Sequence, residues 1–386
     1  MRVTMLVRCL AMMRGGGETR HLAWARELTA LGVDVRIISG VPFVSGEARY
    51  PVEGVATELL RSPYAREFVY RFQNRRGFGR LTMAALHADE ELFCRAAWRR
   101  MAGSRPQPDI VHAHALHQAA RLRIGNMPVV INLPGPPNPR YVADLQQADA
   151  LIADGWAASH LPAMLGRSVE RLPKGVDSEL FQPDGRSLRD ALRLGDKHVV
   201  MTAARLVPIK NVRLLLDAMA LLRHRLVGAH LVIVGDGPEA EALKAAATVL
   251  EMSDAVTFAG YVAHADTPAF YRAADVFALS SDFDNSPNVV LEAMACGLPV
   301  VATDVGGVGD FVTDGTGGLV VPRQNAAALA AALETYLTSP VAARAAGALN
   351  RTRATTEFSW RTSALRLLDV YHQVLAARRG ADRASA

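Results

Sequence analysis

Two doubly wound α/β domains in one chain are what the sequence predicts, and three observations predict them. At 386 residues the chain is too long for one ordinary core of about 100 to 200 residues. Short β-branched runs alternate with helical stretches from end to end, the pattern of parallel sheets covered by helices on both faces. One stretch rich in proline and glycine, RLPKGVDSELFQPDG at residues 171–185, breaks both periodicities and divides the runs into two sets.

The first run, RVTMLVRC from Arg2, is interrupted by Arg2 and Arg8 and lacks a small-residue cleavage site, so it reads as a buried strand rather than a leader. VDVRIIS from Val33, DIVHAH from Asp109, PVVINL from Pro128 and DALIA from Asp149 complete the strands of the first half. The second half repeats the architecture with HVVMTA from His198, HLVIVG from His230, AVTFAG from Ala255, DVFALS from Asp275, PVVAT from Pro299 and GLVVP from Gly318. A boundary near Phe181 gives domains at 1–180 and 181–357. From Phe358 onward, Leu365, Leu367, Leu368, Val370, Tyr371 and Val374 recur at helical spacing, and the last residues, GADRASA, read as a disordered tail.

Half of the residues are hydrophobic and 21% are charged with both signs interspersed, the composition of a soluble globular enzyme. No apolar run approaches the roughly 18 residues of a spanning helix. The net charge of +5 is diffuse, which excludes a basic-stripe nucleic-acid binder. Cys9, Cys94 and Cys296 fall in no metal-binding spacing, so free thiols in a reducing cytoplasm and no bound metal are expected. Residues 61–80 are locally basic, with Arg61, Arg66, Arg71, Arg75, Arg76 and Arg80 against the single acid Glu67. A solvated basic helix or loop and an acceptor-binding or membrane-surface patch at the inner face both fit that segment.

The chemistry concentrates in SSDFDNSPNVVLEAMACGLP, residues 280–299, which begins at the C-terminal end of a strand, where open α/β sheets bind ligands. Ser286 suits an N-cap, Pro287 the first helical position, and Gly297 with Pro299 the helix end. Free N–H groups at Asn288 and Val289 then favour an anion by roughly 0.3 to 1 kcal/mol. Asp284 before the helix and Glu292 inside it are acceptors suited to vicinal hydroxyls of two sugar rings; a helix cap and a buried salt bridge are the alternatives. Gly15, Gly16 and Gly17 open a helix after the first strand, as a phosphate-cradling loop does and as a plain flexible turn also would. His112 and His114 lie two apart on one strand and so share a face, without enough further ligands for a metal.

The phrase DNSPNVVLEAMACGLPVVATDVGGV resembles the E-x7-E region of the GT4 group of retaining glycosyltransferases, with Asp284 in place of the first glutamate. AARLVPIKNVRLLLDAM resembles the same group's phosphate-binding strand and helix, with Arg205 and Lys210 matching its basic pair. A guanidinium fork and a mobile ammonium suit a departing diphosphate. Gly15, Gly16 and Glu18 match the group's GGxE motif, His112 and His114 its HxH, and LVIVGDGPE brings in Gly235. Lys174 stands where the group usually has asparagine.

The resemblance implies the GT-B architecture, two Rossmann-like domains facing a central cleft, with residues 358–386 packing back on the first. It implies a retaining, metal-independent hexosyl transfer from a nucleotide-diphosphate sugar, a UDP-sugar favoured, to a small-molecule, lipid-linked or saccharide acceptor. In that reading Arg205, Lys210, Asp284 and His114 act on the reaction. Gly15, Gly16, Gly17, Glu18, His112, Gly235, Asn288, Val289, Val290 and Glu292 bind the donor. A nucleotide-sugar epimerase of the same architecture and a non-catalytic nucleotide-sugar-binding relative are the rival readings.

Overall fold

The computed structural model describes residues 1–13, 15–43, 45–63 and 79–385. Most of the basic segment at 61–80, and Arg14 ahead of the glycines, lie outside the described residues. The chain forms two compact units, one of Met1–Pro173 with Ser363–Ala386 and one of Lys174–Thr362. The division precedes Phe181, which is buried in the core of the second unit.

The first unit is built on a seven-stranded sheet in the order β3-β2-β1-β4-β5-β6-β7. Its strands are β1 (Arg2–Leu6), β2 (Asp34–Pro42), β3 (Ala56–Ser62), β4 (Ile110–His114), β5 (Val129–Leu133), β6 (Ala150–Ala153) and β7 (Glu170–Arg171). Every pairing among them is parallel. Because strand side chains alternate, Leu6, Val111, Ala113, Val129 and Ile131 line one face. They pack there with Phe93, Cys94 and Trp98 of the helix Gly79–Ala102 and Leu161 of the helix Gly155–Leu165. His112 points to the other face, against Trp24 of the helix Gly16–Ala30 and Tyr371 of the helix Trp360–Ser385.

The second unit repeats the order with six parallel strands, β10-β9-β8-β11-β12-β13. They are β8 (His198–Ala203), β9 (Ala229–Val234), β10 (Val256–Gly260), β11 (Val276–Leu279), β12 (Val300–Thr303) and β13 (Gly318–Val321). One face buries Val199, Met201, Phe277 and Val300 under the helix Asn288–Ala295; the other buries Val200, Ile233 and Val301 under the helices Val212–Arg223 and Ala326–Thr338. Burial on both faces explains why the inner strands β8, β9, β11 and β12 read as nearly continuous apolar runs.

Three expectations are corrected here. β3 and β7 are absent from the sequence reading: β3, ATELLRS, is a sheet edge with exposed positions and polar residues, and β7 has only two residues. The C-terminal helix runs through Gly380 to Ser385, so the tail is helical where disorder was expected. Within that helix Leu365 faces solvent, while Ala364, Leu367, Tyr371 and Val374 are buried. No helix among the described residues is long and apolar enough to cross a membrane.

Candidate functional site

In each sheet the chain leaves the central strand in one direction and returns on its other side, so a crevice opens where the connections diverge. In the second unit that point lies between β8 and β11. Arg205 and Lys210 follow β8, and the segment from Ser280 to Asp284 follows β11. Hydrogen bonds tie the two segments together. The Asp282 amide donates to Ile209 O at 2.9 Å, Asn211 Nδ2 to Asp282 Oδ1 at 3.1 Å, and Ser280 Oγ to Lys210 O at 3.2 Å. Asn211 sits in the left-handed region at φ 44°, a strained conformation held by these partners and by its own cap on Leu214.

The result brings Lys210 Nζ directly onto Asp284 Oδ2. Arg205 is exposed and has no side-chain partner among the described residues. Its guanidinium is carried by the turn that leads from β8 to Lys210. Two glycines permit the packing of these turns. A Cβ on Gly235 would stand 1.9 Å from Ala204 O, and one on Gly306, at φ 50°, would stand 1.4 Å from Asp284 O.

The helix Asn288–Ala295 begins one residue later than expected. Pro287 occupies the cap position and no side chain caps the helix, so the N-cap assigned to Ser286 is not made. Ser286 Oγ and Asn288 Oδ1 are buried without a partner. A buried polar atom left without a hydrogen bond costs about 1 to 3 kcal/mol. Lys174 Nζ donates to Ser286 O at 2.6 Å and the Ser286 amide to Asp284 Oδ1 at 3.3 Å, fixing the loop ahead of the helix. Val289 packs partly against the core. Val290 offers no group to a ligand, because its side chain is fully buried and its N–H bonds Pro287 O. Glu292, nearly buried, accepts from Tyr271 Oη at 2.8 Å and from His264 Nε2 at 3.2 Å. Its carboxylate holds the His264 imidazole above its usual range, while burial first, and Glu292 second, push the Tyr271 hydroxyl well up.

In the first unit the corresponding point lies between β1 and β4. Gly15 occupies the uncapped start of the helix Gly16–Ala30, and Glu18 folds back so that its Oε2 lies 2.7 Å from where a Gly15 Cβ would stand. Gly17 is without a side chain because His114 occupies that space: a Cβ there would meet His114 Nε2 at 2.3 Å. His114 Nδ1 lies 3.1 Å from Asn132 Oδ1, and the next residue, Ala115, takes a left-handed φ of 49°.

His112 is fully buried with its Nδ1 2.6 Å from Tyr371 Oη, a structural location rather than a ligand-facing one. His21 was missed by the sequence reading. It lies one helical turn after Gly17, and that i,i+4 spacing was the available signal. Its Nδ1 donates to Gly17 O at 2.7 Å and its ring lies 4.3 Å from that of His114. Burial, reinforced by the neighbouring imidazoles, holds His21 well below its usual range and His112 at about 3. Both are therefore neutral at physiological pH. Beneath them Arg20 and Asp154 form a buried ion pair at 2.5 Å. No group of three or more His, Cys, Asp or Glu among the described residues is arranged to hold a metal ion.

The profile of the family described as glycosyl transferases group 1 matches residues 197–339. The chain is 38% identical over 221 residues to a GDP-mannose-dependent alpha-(1-6)-phosphatidylinositol monomannoside mannosyltransferase of Mycobacterium tuberculosis, covering 55% of this chain and 57% of that one. The match thus spans little more than half the length of that relative. It is 34% identical over 305 residues to a D-inositol 3-phosphate glycosyltransferase of Kineococcus radiotolerans, covering 71% of this chain and 69% of the relative. Among solved structures it is similar to sucrose-phosphate synthase from Thermosynechococcus elongatus, with a TM-score of 0.77 at 22% identity over 97% of this chain and 99% of that one. It is also similar to the Anabaena protein HepE in complex with UDP, with a TM-score of 0.74 at 19% identity over 97% and 100%. At those identities the likeness shows the GT-B fold.

Proposed function

This chain belongs to the family of glycosyl transferases group 1, and we propose that it moves a hexosyl group from a nucleoside-diphosphate sugar to an acceptor hydroxyl, with retention and without a metal. The observation that carries the reading is the uncapped start of the helix Asn288–Ala295. Asp284 of the loop just ahead of it is joined to Lys210, and Arg205, without a side-chain partner among the described residues, stands in the same turn after β8. A diphosphate supplies acceptor oxygens for the helix N–H groups and negative charge for both cations.

In this mechanism the bond from the sugar's anomeric carbon to the diphosphate breaks as the bond to the acceptor oxygen forms. The acceptor's proton passes to the departing diphosphate. Arg205 and Lys210 stabilise the charge that grows on the leaving group, which is electrostatic catalysis by groups already in place. Their two positive charges do the work that a divalent ion does in other transferases. Lys210 turns from Asp284 toward the phosphate, or bridges both, and Asp284 and Glu292 accept hydroxyls of the donor. His114 orients a sugar or acceptor hydroxyl at its own switch point. Retention follows the family likeness, with the acceptor approaching on the face from which the diphosphate leaves.

GDP-mannose is the donor named for the mannosyltransferase relative, so a GDP-sugar is the first donor to test, ahead of the UDP-sugar that the sequence reading favours. Inositol appears in the names of both relatives, so an inositol-bearing acceptor is the first class to assay. Melting the protein against GDP, UDP, ADP and dTDP sugars tests the donor, because a ligand that binds the native state raises Tm by mass action. One nucleotide class should raise Tm, and turnover of that donor should survive a chelator. Loss of turnover on chelation would refute the metal-independent mechanism.

A further inference from the structure

We propose that Tyr271 and His264 are positioning residues that fix the Glu292 carboxylate so that one acceptor site on each of its oxygens is kept for a vicinal diol of the donor. The inference rests on the reading that Glu292 binds the donor, and it adds what makes that binding specific. An ionised carboxylate has about four acceptor sites, two on each oxygen. Tyr271 Oη occupies one on Oε2 at 2.8 Å, and His264 Nε2 one on Oε1 at 3.2 Å. One remains on each oxygen, the number and spacing that two adjacent hydroxyls require.

The supporting groups are themselves held. Tyr271 is fully buried, and its ring packs edge-on against Phe181 at 5.7 Å, with a second contact from its hydroxyl to Val289 O at 3.5 Å. Burial beside a carboxylate keeps the phenol protonated, so it remains a donor. His264 lies with its ring 5.1 Å from that of Phe181 and is more than half exposed at its side chain. The titratable groups that face it are Glu292 and Asp177, both acidic; the hydrogen bond to Glu292 is the leading effect and favours the protonated ring, burial opposes it, and the charge of Asp177 adds the least. A protonated His264 gives a charge-assisted bond to Glu292, stronger than the neutral one. Tight donor binding therefore belongs to the lower side of the His264 transition.

The test is calorimetric titration of GDP-mannose and of UDP-glucose into the wild type, Glu292→Gln, Tyr271→Phe, His264→Ala and His264→Gln, followed from about pH 6 to about pH 8.5. Each of Tyr271→Phe and His264→Ala should weaken the tighter probe about tenfold, the scale of a hydrogen bond to a charged group. His264→Gln, which keeps an N–H donor, should recover most of the loss. Wild-type affinity should fall as pH rises through the His264 transition, and the His264→Ala profile should be flat across it. His264 is largely exposed, so its variants keep the test intact if Tyr271→Phe fails to fold. Wild-type affinity in both His264→Ala and Tyr271→Phe, with Glu292→Gln weakened, would overturn the positioning role alone. Unchanged affinity in Glu292→Gln, or no binding of either probe to the wild type, would instead overturn the reading on which it rests.

Discussion

A single methyl group at position 306 would collide with the backbone oxygen of Asp284 at 1.4 Å, at a φ of 50° that non-glycine residues rarely adopt. Gly306→Ala should therefore push the Asp284 loop away from Lys210 and cut donor affinity even if the unit stays folded, which calorimetry with a nucleotide sugar would show. Arg205→Ala and Lys210→Ala should each lower turnover by about 10² to 10³, roughly 2.7 to 4 kcal/mol, the effect of removing one preorganised charge-stabilising group. Unchanged steady-state kinetics in both would remove them from the site. In the first unit, Gly17→Ala places a Cβ 2.3 Å from His114 Nε2 and must displace that ring. That Arg205 follows one strand and Asp284 another was legible in the sequence. That Lys210 grips Asp284, 74 positions away, was not, because the pairing is made by two strand ends that only the sheet order brings together.

Among the elements, the helix Asn288–Ala295 shows how far local rules reach. Its C-terminal end follows them: Gly297 at φ 76° bonds Met294 O, and Leu298 bonds Ala293 O, the two bonds of a Schellman ending. Gly297→Ala should cost at least about 1 kcal/mol, since the left-handed position penalises a Cβ, and a lowered denaturant midpoint would register it. The N-terminal end departs from those rules by one residue, and its serine caps nothing. Such a departure belongs where a site must leave N–H groups open, and local propensity contains no term for a ligand. The inner strands of the second unit were legible because they are buried on both faces, and the partly buried edge strand β10 because Val256, Thr257, Phe258 and Ala259 still form a β-prone run. β3 was not, because Glu58, Arg61 and its exposed positions interrupt the apolar signal, and Leu365 was assigned inward because spacing alone does not say which side of a helix meets the sheet.

Over the whole molecule, buried neutral histidines set the response to acid. His21 and His112 in the first unit and His230 in the second all have folded values lowered by burial, His112 to about 3 and His230 to about 4. Below the ordinary histidine value near 6.5 the unfolded chain takes up protons that the folded chain refuses, so stability is full above about 6.5 and declines as pH falls. Each such histidine contributes a slope on the order of 1.4 kcal/mol per pH unit in that window. Urea midpoints should therefore fall between about pH 7.5 and about pH 5.5, and less steeply for His112→Gln. A midpoint independent of pH over that range would contradict the neutral cluster. The claim on which the functional reading depends is that cations and an open helix end, with no divalent ion, hold the leaving diphosphate. A crystal structure of the chain with its nucleoside diphosphate, grown in chelator, measures this directly. The pyrophosphate should lie within about 3.2 Å of Lys210 Nζ, the Arg205 guanidinium and the Asn288–Val289 amides. A pyrophosphate bound away from all of them would contradict it.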